Sequence, residues 1–96
     1  MSEDSLKPTV AGRTAARKLG GQYFHTVKDG EIRLQGKIID SDEKGMVLVQ
    51  LFSWFDGRPT DREWWVEQDL EGARFYDSAS HWNRAADNEN MTRLEK

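Results

Sequence analysis

The chain has 96 residues, 36% of them hydrophobic and 32% charged, with a formal net charge of −3. That length supports one domain with one core, and the lack of any Cys excludes disulfides, thiolate metal sites and a cysteine nucleophile. No run of about 18 apolar residues is present for a membrane helix, and a pI near 5.3 argues against a generic binder of phosphate backbones.

The opening stretch, MSEDSLKPTV, has acids where a secretory signal needs a basic segment followed by an apolar one, so a cytoplasmic protein is expected. Residues 1–20 carry four bases against two acids, a net of +2, while residues 21–96 carry ten against fifteen, a net of −5. Leu6, Val10 and Leu19 supply nearly all the large apolar side chains of residues 1–20, and Pro8, Gly12, Gly20 and Gly21 punctuate them. So little burial does not offset the entropy of ordering, and a flexible N-terminal arm is expected over 1–20. Within it, TAARKL over Thr14–Leu19 has the propensity to turn helical on contact with a partner.

Residues 21–77 read as a small β-rich unit. Gln22–Lys28 is rich in strand formers, and Asp29-Gly30 is the favoured two-residue hairpin turn because both positions need positive φ. Glu31–Asp40 alternates: Ile32, Leu34 and Ile38 share a face with the small Gly36 among them, which marks a bulge or bend. The polar DSDEKG turn leads into GMVLVQLFSWF, the longest apolar run and the expected central strand. Its alternation sends Val47, Val49 and Leu51 one way and Leu48, Phe52 and Trp54 the other. DGRPTD over Asp56–Asp61 is a loop, Arg62–Glu67 a fourth strand, and Ala73–Tyr76 a fifth strand or closing segment. In residues 78–96, Ser78 or Ser80 caps a short helix through Ala86 that carries Trp82, and a polar tail frays after it.

Gly21-x-Tyr23, Asp29-Gly30 and Gly36-Lys37-Ile38, set among four or five short strands, resemble the SH3-like small barrels of the Tudor and KOW type. The resemblance covers residues 21–77 and is one of fold; five-stranded oligonucleotide-binding barrels give a similar pattern. It implies a small antiparallel barrel of four to five strands and a binding role toward peptides, methylated side chains or nucleic acids. By itself such a likeness carries no specific function.

Four Trp in 96 residues exceed what so small a core can hide completely. Adjacent residues on a strand face opposite sides, so one of Trp64 and Trp65 belongs to the core and the other to the surface, and Trp54 and Phe55 divide in the same way. The outward rings, with Tyr23 or Phe24 and with Arg58 and Arg62 beside them, form an aromatic and arginine surface suited to a protein partner. Trp54, Phe55, Arg58, Trp64 and Trp65 are its expected contact residues. Two arrangements compete with this one: the C-terminal helix covers the rings with Trp82 as its anchor, or a homodimer hides them. Arg13, Arg17 and Lys18 in the arm, with the 56–63 loop, define a second candidate role in nucleic-acid binding, weakened by Asp56, Asp61 and Glu63 in the same loop.

His25 and His81 lack metal-ligand spacing, and Asp40 and Asp42 match only the first positions of a calcium loop. No Gly-x-Ser-x-Gly elbow or phosphate-cradling loop accompanies Ser53, Ser78 or Ser80. The expectation is a non-catalytic module without metal or cofactor. Its compactness, acidity and lack of a catalytic pattern would suit a small accessory protein of a phage or plasmid.

Overall fold

A computed structural model describes residues 7–53, 57–82 and 84. Helix α1 (Val10–Leu19) comes first, followed by strands β1 (Tyr23–Lys28), β2 (Glu31–Ser41), β3 (Met46–Phe52) and β4 (Pro59–Val66). A 3-10 turn at Glu67–Leu70 leads to β5 (Arg74–Tyr76), and residues 79–82 are helical. The strands form one antiparallel sheet in the order β4-β3-β2-β1-β5. The sheet is open: β4 and β5 are its edges, and among the described residues no ladder joins them into the expected closed barrel.

The hairpins follow from local chemistry. Asp29 (φ 54°) and Gly30 (φ 78°) both adopt the left-handed region that a tight β1–β2 turn demands. At the β2–β3 turn, one carboxylate oxygen of Asp42 accepts the N–H groups of Lys44 (2.7 Å) and Met46 (3.0 Å). Those two bonds hold the Asp42 carboxyl below its usual pKa of 3.8.

The strand expected at the centre, GMVLVQLFSWF, ends as β3 at Phe52 and lies between β2 and β4; the middle place belongs to β2. Val47, Val49 and Leu51 do enter the core, as their alternation predicts. Leu34 does not share the burial of Ile32 and Ile38: it lies 42% exposed opposite Thr26, beside the register shift that interrupts the β1–β2 ladder. β4 starts at Pro59, earlier than expected; a proline is tolerated there because β4 is an edge.

Residues 10–19 correct the expectation of a flexible arm. They form a helix against β2 and β3 with no second molecule needed, and Ala15 and Ala16 belong to the core with Phe24, Ile38 and Leu70. The dock depends on a bulge. The β2–β3 register shifts between Ile38 and Asp40, and the Ile39 carbonyl accepts the Thr9 N–H (2.8 Å). Thr9 is the N-cap: its hydroxyl accepts from Gly12 N–H (3.0 Å) and donates to Asp40 (2.6 Å). At the other end, Gly20 (φ 122°) closes the helix, with its own N–H and that of Gly21 both bonded to the Ala16 carbonyl.

Candidate functional site

The sheet presents two faces. Phe24, Ile38, Val47 and Val49 line the core face with Trp65 and Phe75 packed at its rim. Tyr23, Lys37, Gln50 and Arg62 run across the other face in register, and His25, Gln35 and Phe52 form the next row. Pleat alternation makes this second face available to a ligand or to another element of the chain.

One half of the second face is already covered. Trp82, on the helical segment 79–82, lies 7% exposed with its ring 5.2 Å from both Tyr23 and Phe52 and stacked 5.8 Å from His25. Its indole N–H donates to the Phe24 carbonyl (3.0 Å), and Ser78 caps the segment by accepting the His81 N–H (3.2 Å). This is the arrangement in which the C-terminal segment hides surplus rings. Beneath it His25 is fully buried, its Nδ1 3.1 Å from the Tyr76 hydroxyl. At the margin, Lys37 Nζ lies 5.3 Å from the Tyr23 ring centroid, and burial pulls its pKa below the usual 10.5.

The other half faces outward at β3 and β4. Trp64 is 49% exposed and Val66 41%, both on the side away from the core, and their cross-strand partners Leu48 and Met46 are half-buried beside them. Arg62 borders this apolar band and is held by its Nε–H, which donates to Oε1 of the buried Gln50 (2.7 Å). A second Gln50 bond, from Nε2 to the Leu51 carbonyl (3.0 Å), fixes that amide in turn. A half-exposed tryptophan beside an anchored guanidinium has the composition of a binding hot spot.

The adjacent tryptophans thus divide as the pleat demands. Trp65 turns to the core, 5.7 Å from Phe24 by ring centroids, with its indole N–H on Glu63 (2.8 Å); Trp64 turns outward. Phe24 is fully buried and leaves the outward set, while Tyr23 is half-buried under Trp82. Arg58 is exposed, and its carbonyl accepts the Ser53 N–H (2.9 Å). Trp54 and Phe55 lie outside the described residues. Sequence reading alone found Trp64 and passed over Met46 and Val66, although a period of two places Val66 on the same side as Trp64.

The three basic residues assigned to the arm separate on the helix. Arg13 and Arg17 are exposed one turn apart, pointing away from the Gly12–Ala15–Ala16 dock. Lys18 lies around the helix toward a shallow cleft of about 480 Å³ between α1 and the β2–β3 turn, where it pairs with Glu67 (3.5 Å). Among the described residues no group of three His, Asp or Glu side chains converges as a metal site, and no helix is long and apolar enough to cross a membrane. Compared with known proteins, the chain matches no family model, no curated protein and no solved structure.

Proposed function

We propose that this chain is a small non-catalytic binding module that recognises another protein, in the cytoplasm, through the outward half of its β3–β4 face. The observation that carries this reading is Trp64: a large aromatic ring in mid-strand, half in water, flanked by Val66, Leu48 and Arg62. Exposed rings of this kind, bordered by a guanidinium, supply much of the energy at protein interfaces. The surface differs from the one expected of sequence alone, since Trp65 serves the core. The five-stranded antiparallel order supports an SH3-like reading of the fold, short of barrel closure. The test is to identify proteins that copurify stoichiometrically after nuclease treatment and to measure their affinity for the Trp64→Ala chain. A loss of about 2 kcal/mol with the fold intact supports the reading, and unchanged affinity removes it.

A second reading, nucleic-acid binding, is favoured by one observation: the helix holds Arg13 and Arg17 in a preformed ridge rather than a loose arm. It requires an affinity that falls steeply with salt.

A further inference from the structure

We infer that the outer edge of β4 takes up an extended segment of a different protein as a sixth strand, with that segment's apolar side chains laid on Trp64 and Val66. The inference rests on the partner-binding reading above and specifies how the partner is held.

Among the described residues β4 is hydrogen-bonded to β3 alone. The Glu67 N–H to Gly45 carbonyl bond (3.0 Å) sets the phase of that ladder. By antiparallel alternation, Trp65 and Glu63 direct their backbone groups toward β3, and Trp64 directs its N–H and C=O toward the open edge. Beyond it the Val66 N–H is taken by the Asp69 carboxylate (3.2 Å), which ends the available edge. An edge that no described strand pairs at Trp64, beside an exposed apolar strip, is the arrangement used in strand addition, where the backbone supplies affinity and alternate side chains supply selectivity.

Charge distinguishes the occupant. The outward side of β4 reads Arg62, Trp64, Val66, and the other side carries Asp61 and Glu63. A complementary strand places an acid opposite Arg62, aliphatic side chains opposite Trp64 and Val66, and a base opposite Asp61 or Glu63. A second copy of β4 does not satisfy this. Two-fold antiparallel registers centred on Asp61, Arg62 or Glu63 set each of these against its own copy, and the register centred on Trp64 sets Arg62 against Val66. None of the four places an acid opposite Arg62, so the guest is a different chain.

The probe is a displayed library of random decapeptides selected against the full chain, with the enriched peptides then synthesised. The expected peptides alternate aliphatic and charged residues, lose at least about tenfold in affinity when alternate backbone amides are N-methylated, and protect the Trp64 amide from hydrogen exchange. Trp64→Thr, which keeps a strand former, weakens them by a similar factor. Peptides sensitive to Trp64→Thr but indifferent to N-methylation overturn strand addition and leave the Trp64 surface standing. Peptides indifferent to both overturn the surface reading as well. A library that yields no enrichment overturns the sixth strand, and the N-methylation test needs no folded variant.

Discussion

Gly12 of α1 sits directly against the backbone of Ile39 in β2: a Cβ at position 12 would lie 2.2 Å from the Ile39 carbonyl oxygen. No rotamer relieves a clash between a Cβ and a main-chain oxygen. Gly12→Ala therefore forces the helix away from the sheet and is expected to destabilise the chain by about 3 kcal/mol, read as a lower urea midpoint. An unchanged midpoint would show that the helix is not docked on the bulge.

The two tryptophans of β4 make a paired test. Trp65→Ala removes a ring packed on Phe24 and is expected to lower stability by about 3 kcal/mol. Trp64→Ala removes a ring half in water and is expected to change it by less than about 1 kcal/mol while abolishing most partner affinity. Equal losses of stability would place both rings in the core and end the interface reading.

Trp82 secures the aromatic half of the second face through both its volume and its indole hydrogen bond. Trp82→Ala is expected to cost about 3 to 5 kcal/mol, and Trp82→Phe, which keeps most of the ring area, about 1 to 2 kcal/mol. In a thermal scan each kcal/mol corresponds to about 4 to 8 °C for a domain of this size. A Trp82→Phe chain that melts with the wild type would remove the bond to the Phe24 carbonyl from the account.

Acid should act on the β2–β3 turn. The bonds from Lys44 and Met46 depress the Asp42 pKa on folding, so the carboxylate stabilises the turn above the usual aspartate range. That contribution is lost as pH falls through the depressed value. Asp42→Asn removes this dependence, so the two chains should differ in pH slope only below about pH 4. Parallel slopes from about pH 6 to pH 2 would count against it.

If nucleic acid is the ligand, Arg13→Gln with Arg17→Gln should lower affinity and flatten its salt dependence, with no loss of stability. Lys18→Gln should do less, because Lys18 is turned to Glu67. Equal effects from all three would place the ligand across the cleft instead of along the ridge.

Much of the sheet is legible in the chain because its signals are local. Asp29-Gly30 demands a hairpin, and the alternation of Val47, Val49 and Leu51 gives the core face of β3 without reference to the rest. Helix α1 is hidden because its contact is made by residues that hydrophobicity counts ignore. Gly12, Ala15 and Ala16 bury little area each; what they permit is close approach, and the surface they approach is created by a bulge about 25 residues later. The choice between Trp64 and Trp65 depends on which side of the sheet that helix covers, and so it too is settled only by tertiary packing.

The bulge at Ile39 also imposes an order of events on synthesis. Ten helical residues are too few to hold together alone in water, and the carbonyl that receives Thr9 lies 30 residues downstream. On a ribosome, residues 10–19 therefore emerge well before the surface that stabilises them. His25 waits longer, since Tyr76 follows it by 51 residues. Until β5 and Trp82 are released, the edge of β1 stays bare, and a nascent chain carries a sticky strand that the finished protein does not.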